Sequence, residues 1–229
     1  MASQTPSKLV IVGDSAFAEV ACEYFTHDSD YTPVAFAVER AFLRQDSLLG
    51  LPVVALEDLP GLYSAAEHSA FVAITYGQMN RVRTRLLQAV KQLGYRPASY
   101  ISSRAAVWRN ATLGEHCFVM ENNVVQPFAR IGDNVILWSG NHVGHHTTIE
   151  DNVFVSSHVV VSGFCTIGAN SFLGVNTAIA NNVRVGRDVW TGPNATVMAD
   201  TADGQLFPAT ATEPSKVSSL RFFRVRESI

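Results

Sequence analysis

The sequence predicts a two-part α/β chain, in which a parallel sheet flanked by helices is followed by a coil of short parallel strands. Three observations predict it. Aliphatic residues recur at every sixth position from Val107 to Val185, and strand-like and helix-like segments alternate before Ser102. In addition, 47% of the 229 residues are hydrophobic and only 16% are charged. A chain of this length buries roughly 70% of the surface its unfolded form exposes, so it needs neither disulfides nor a metal to hold a core.

In the first part, residues 8–13 are an apolar run ending at a glycine and read as a strand. Residues 16–25 read as a helix, 32–38 and 70–75 as strands, 81–93 as an amphipathic helix and 97–101 as a last strand. Strands alternating with helices indicate a parallel sheet. The change of pattern divides the chain into 1–102, 103–200 and a tail, 201–229.

In the second part every sixth residue is aliphatic: Val107, Leu113, Val119, Val125, Ile131, Leu137, Val143, Ile149 and so on to Val185. The next position is often glycine, as at Gly114, Gly132, Gly144, Gly168, Gly174 and Gly186. A helix needs spacings of three and four and an amphipathic strand alternates, so a period of six means a short strand plus a corner. Three such units close a triangular coil of 18 residues, and coils stacked about 4.8 Å apart pair their strands in parallel. The tail loses the period and contains Pro208 and Pro214. It is expected to cap the coil and dock a short segment.

Lys and Arg total 17 against 20 Asp and Glu, for a formal charge of −3, with the deficit shared between the two parts. Neither part is therefore a phosphate-backbone binder. No run approaches ~18 apolar residues, and residues 1–8 lack the apolar core of a signal peptide. Cys22, Cys117 and Cys165 form no C-x-x-C and suit a reducing compartment. A soluble cytoplasmic protein is expected. Cys117 and Cys165 lie eight hexads apart, which is not a multiple of three, so they belong on different faces as packed thiols.

The turn GDSAFA at 13–18 keeps only the first glycine of a G-x-G-x-x-G dinucleotide fingerprint, which argues against NAD. A helix N-terminus still follows, and its free N–H groups suit phosphate, although a plain strand-to-helix turn reads the same. Five of the seven histidines lie in the repeat, with His142, His145 and His146 inside residues 140–146. Imidazoles titrate near neutrality and can take a proton from an attacking amine or hydroxyl. Coil arithmetic stacks Pro127, His145 and Gly163 on one corner. No G-x-S-x-G elbow is present, so nothing points to an acyl-enzyme.

With the hexad from Val107, the turn at Gly13 and the histidine corner, the chain resembles the hexapeptide-repeat sugar-nucleotide acetyltransferases of the bacillosamine and sialic-acid type. The resemblance implies a small Rossmann-like domain followed by a left-handed parallel β-helix. It implies transfer of acetyl from acetyl-CoA, without a metal, to the amino group of a nucleotide-linked amino-dideoxy sugar, with sugar O-acetylation as the alternative. It also implies a homotrimer with CoA between prisms and a place in polysaccharide biosynthesis.

By the same resemblance Gly13, Asp14, Ser15 and Glu39 hold the nucleotide, and His145 is the base, with His146 as the other candidate. Gly163 offers its N–H to the acetyl carbonyl oxygen, and Phe154, which stands where the family has a second histidine, joins it in the acetyl-CoA site. Members often carry a carboxylate directly after the catalytic histidine. Here His146 stands there, expected to point away from His145 as strand neighbours do. Glu150, Asp151 and Asn141 are the candidates for orienting the base. One rival is a γ-type carbonic anhydrase, whose ligand histidines sit five apart on one strand; no two of His142, His145, His146 and His158 are five apart. The other rival is a non-catalytic sugar-nucleotide-binding protein.

Overall fold

A computed structural model describes residues 7–225. Residues 1–6, most of the segment read as lacking a signal core, and 226–229 lie outside the described residues.

The first part contains β1 (Ser7–Val12), α1 (Ala16–His27), β2 (Tyr31–Val38), β3 (Ser47–Leu48), β4 (Leu51–Ala55), a short α2 (Leu59–Leu62), β5 (His68–Val72), α3 (Arg81–Gln92) and β6 (Arg96–Pro97). The sheet order is β3-β4-β2-β1-β5-β6, parallel except for the β3–β4 hairpin. The chain runs outward from β1 through β2 to β4 and then crosses back to β5 on the other side of β1. Such a switch point opens a crevice at the C-terminal strand ends. The hairpin was not anticipated, because Leu51–Ala55 is short, does not alternate and carries Pro52.

The second part is a left-handed β-helix of two-residue strands in three parallel sheets of seven, six and five strands. Here they are called faces I, II and III, in the order the chain visits them. Face I runs from Tyr100–Ile101 to Leu206–Phe207, face II from Ala106–Val107 and face III from Thr112–Leu113. The register advances by 18, as in Phe118↔Ile136 and Ile136↔Phe154, so the hexad aliphatics Val119, Leu137, Val155 and Leu173 point inward as one buried column. Run 97–101, expected as one strand, divides: β6 pairs with β5, whereas Tyr100–Ile101 opens face I. The last coil is shortened, with Trp190 pairing to Leu206, and Thr201 receives the Gly186 N–H in place of a strand. The tail segment expected to dock forms a short helix, Ser219–Phe222, whose Leu220 and Phe222 remain exposed and cover nothing described. Cys117 and Cys165 are buried free thiols on different faces, as expected.

One regularity of the corners had not been read. From Leu113 to Thr191 the third residue after each inward hexad residue takes a left-handed φ, and it is asparagine at 122, 134, 152, 170, 176, 182 and 194. Asparagine visits that region at little cost, whereas bulky residues do so only where something over-determines them. The exceptions are therefore informative. They include His116, Phe128, His146, His158 and Phe164.

Face I carries the N-terminal domain. Its outward residues at intervals of 18, Tyr100, Phe118, Ile136, Phe154 and Phe172, are buried with Phe17, Phe25 and Phe71. Phe118 lies 5.5 Å from Phe17 and 5.1 Å from Phe71 between ring centroids. At the adjoining corner the fully buried Arg83 donates to Asn134 Oδ1 (3.0 Å), Asn134 O (3.1 Å) and Asn152 O (3.2 Å). The His116 ring stacks on Phe71 and accepts the Val72 N–H at Nε2 (2.8 Å), which leaves Nδ1–H to donate to Asn134 Oδ1 (2.8 Å). Burial pushes His116 down to about 3 and Arg83 down to about 9, so His116 is neutral here.

Candidate active site

At the C-terminal ends of β1, β2 and β5 the sheet opens a cleft of about 450 Å³ that brings together all four residues expected there, Gly13, Asp14, Ser15 and Glu39. Gly13 has φ +125°, and a Cβ on it would stand 2.9 Å from Ala73 O, so the turn requires glycine. Ser15 caps α1 through its backbone alone, leaving its hydroxyl without a helix partner. The Glu39 carboxylate accepts from both terminal nitrogens of Arg85, at 2.7 and 2.8 Å, and that guanidinium holds it below the usual carboxylate range. Its sequence neighbour Arg40 turns away to Asp58. Gln78, Ile74 and Phe42 complete the walls. Arg85 was not anticipated because its partner lies 46 residues away and nothing in its own segment marks it.

The histidine cluster stands at the corner between faces II and III, the vertex of the prism opposite face I and its N-terminal domain. The corner forms because Val143 ends a strand of face II and the left-handed residue 146 turns the chain into Thr148–Ile149 of face III. The His145 backbone N–H donates to Gln126 Oε1 at 2.9 Å, tying the corner to the coil before. Its ring lies against Gly163, where a Cβ would meet Cε1 at 2.8 Å and Nε2 at 3.0 Å. The Phe164 ring presents itself edge-on to it at 4.9 Å. Both histidines are exposed, and Trp108, Phe128 and Phe164 at the same corner of the prism are more than half exposed, making an apolar surround.

Several expectations are corrected here. His146 does not point away from His145: strand alternation does not apply at a corner, and the two Nδ1 atoms are 3.2 Å apart. The Gly163 N–H is not free but donates to Asn181 Oδ1 at 2.9 Å, so what this glycine supplies is room for the ring. Phe154 is only 2% exposed, on face I, stacked at 5.7 Å on Phe172 and beneath Arg83, so its ring belongs to the domain interface and is not beside Gly163. Glu150, Asp151 and Asn141 do not reach His145. Glu150 accepts the Ala169 N–H, Asp151 the Asp133 N–H and Asn141 the Val159 N–H, each satisfying the backbone of a neighbouring coil. His142 faces outward on face II, half-buried, and His158 packs over Gly140. No group of three His, Cys, Asp or Glu that could hold a metal converges among the described residues.

His145 Nε2 has no hydrogen bond to any described residue, so the ring can take a proton from an incoming group. Residues 110–145 match the family model for the bacterial transferase hexapeptide repeat. The chain is similar to the acetyltransferase domain of PglB from Neisseria gonorrhoeae, at 26% identity over 87% of this chain and 95% of that one, with a TM-score of 0.79. A second structure of that domain is in complex with acetyl coenzyme A, with a TM-score of 0.78. It is also similar to a histidine-to-asparagine mutant of perosamine N-acetyltransferase from Caulobacter crescentus in complex with CoA and GDP-perosamine. That identity is 27%, over 87% of this chain and 92% of the other, with a TM-score of 0.79. No curated protein matches the chain. In its hexad repeat and its two-part architecture the chain is similar to these sugar acetyltransferases: it is an acyltransferase with a Rossmann-like domain ahead of its β-helix.

Proposed function

We propose that the protein transfers acetyl from acetyl-CoA to the amino group of a nucleotide-linked amino-dideoxy sugar, with His145 as the general base. The observation that carries this is the His145 ring lodged in the space left by the absent Gly163 side chain, at an exposed apolar corner and with Nε2 free. The amine nitrogen attacks the thioester carbon and gives its proton to Nε2; as the C–S bond breaks, the imidazolium returns that proton to the CoA thiolate. A base so placed typically contributes about 10²–10⁴-fold. The nucleotide occupies the cleft of Gly13, Asp14, Ser15 and Glu39, its phosphates toward the α1 N-terminus.

The cleft sits on the N-terminal domain over face I, whereas His145 stands at the opposite vertex. A sugar held in one chain's cleft is therefore best placed for the histidine of another copy. This supports a homotrimer whose sites lie between chains, with the apolar surround of His145 covered by a neighbouring prism and by acetyl-CoA. The three buried free thiols suit the reducing cytoplasm, where nucleotide sugars for polysaccharide biosynthesis are made.

Release of CoA thiol, followed with acetyl-CoA and a panel of amino-sugar nucleotides, tests the activity. Turnover that requires both the amine and the nucleotide is expected. Equal turnover of a free amino sugar removes the cleft from the reading, and acetylation of hydroxyl-only sugar nucleotides in preference to amines replaces the acceptor. Sedimentation is expected to give a trimer, and a fully active monomer would reject the shared site.

A further inference from the structure

The three left-handed corner residues Phe128, His146 and Phe164 form one stack, with the His146 ring 4.6 Å from Phe128 and 4.8 Å from Phe164, near-parallel to both. Their φ values are +64°, +59° and +58°. Bulky residues are held there at some cost, at positions where asparagine is this chain's common choice. The sandwich fixes the plane of the His146 imidazole and brings its Nδ1 to 3.2 Å from Nδ1 of His145. One of these nitrogens must donate and the other accept.

We propose that His146 is the positioning residue of the base: its neutral Nδ1 accepts the Nδ1–H of His145 and so places the free electron pair of His145 on Nε2, where the amine arrives. This rests on the reading of His145 as base. The reverse polarity would put the His145 hydrogen on Nε2 and leave nothing there to accept a proton. A carboxylate could fill the same role, but none is in place. His146 faces Phe128 from the coil before, Phe164 from the coil after and His145 beside it, and the ion pairs of the described residues leave both rings out. The acceptor is therefore an imidazole nitrogen and not a carboxylate oxygen.

A distinctive pH dependence follows. The pair works only when both rings are neutral, because a proton on His146 Nδ1 removes the acceptor and a proton on His145 Nε2 removes the base. Either proton inactivates the pair, and the two are taken up in successive macroscopic steps, so the acid limb of log kcat against pH should steepen from a slope of about 1 toward about 2 as pH falls. His146→Phe is the direct test. It continues the aromatic stack from Phe128 to Phe164 while deleting the acceptor nitrogen. Expected are an unchanged melting temperature, unchanged KM for acetyl-CoA and sugar nucleotide, a kcat lower by about tenfold, and an acid limb of slope about 1. His146→Asn suits the left-handed corner and offers an amide oxygen as a non-titrating acceptor. It should recover part of kcat, also with slope about 1, and it carries the test if the phenylalanine variant does not fold.

Wild-type kcat and slope in His146→Phe would overturn the proposal, and so would a lower kcat with the slope still near 2 in both variants. His145→Ala separates the two layers of the argument. If it is inactive while His146→Phe is wild type, only the positioning role fails; if it is fully active, the reading of His145 as base fails.

Discussion

Gly163→Ala adds one methyl group at the point where the account is most sensitive. The new Cβ would lie 2.8 Å from His145 Cε1, 3.0 Å from Nε2 and 3.2 Å from Nδ1, against ordinary contacts of 3.4–4 Å. The ring must retreat by about 0.6 Å to restore ordinary contact. The backbone at 163 is not left-handed, and the colliding group is an exposed side chain free to swing outward. The fold should therefore lose less than about 1 kcal/mol. Catalysis should lose more. Reacting groups need near-attack separations, and a misplacement of about 1 Å can cost about 10²-fold, so roughly a tenfold fall in kcat is expected.

Gly144→Ala, one coil earlier and one residue before His145, is the contrast. Its Cβ would meet backbone, Ser162 C at 2.5 Å and Gly163 N at 2.6 Å, which cannot swing aside. That overpacking should destabilise the fold by about 1–3 kcal/mol. Saturating rates of CoA thiol release and melting temperatures for both variants make the comparison. Wild-type kcat in Gly163→Ala would refute the argument that ring placement matters. A melting temperature as depressed as that of Gly144→Ala would make Gly163 a structural glycine only.

Glu39→Gln should raise the KM for the sugar nucleotide several-fold and leave that for acetyl-CoA unchanged; an unchanged nucleotide KM would take the nucleotide out of the cleft. Gly13→Val is not a clean substitute, because φ +125° and the Ala73 carbonyl at 2.9 Å make any side chain there a folding defect. The buried His116 is neutral when folded, lowered to about 3 from an ordinary 6.5. Between those values the unfolded chain binds the proton and the folded chain does not. Its stabilisation is thus complete above about pH 6.5 and is lost as pH falls toward 3. Urea midpoints should decline over that window, and His116→Asn, which suits the left-handed φ, should flatten the decline. An equally steep decline in the variant would show that His116 is not the group responsible.

The β-helix was legible because a period of six is imposed by the coil itself: every inward position must be apolar, so Val107 to Val185 records the architecture directly. The N-terminal domain was legible where its strands are long and its helices amphipathic, and not at Leu51–Ala55, where five residues with a proline leave no period to read. The aromatic column Tyr100, Phe118, Phe154, Phe172 was also present, at a period of 18. Only the knowledge that a second domain covers face I turns it from surface into interface. At the site, His145 stood out as part of a histidine cluster, but its orienting partners were sought among Glu150, Asp151 and Asn141, which in fact bind backbone. The asparagine column at the corners was the available signal. Its interruption by Phe128, His146 and Phe164 marks the corner that holds His145, whereas pairs such as Glu39 with Arg85 depend on tertiary folding and leave no local trace.

The central claim is that His145 removes the proton of the acceptor amine. The most direct measurement is kcat of His145→Ala at saturating acetyl-CoA and sugar nucleotide, with binding of each ligand determined separately by calorimetry and the assembly checked by sedimentation. The account predicts an intact trimer that binds both ligands with wild-type affinity and turns over about 10²–10⁴-fold more slowly. Wild-type kcat in that variant would contradict it.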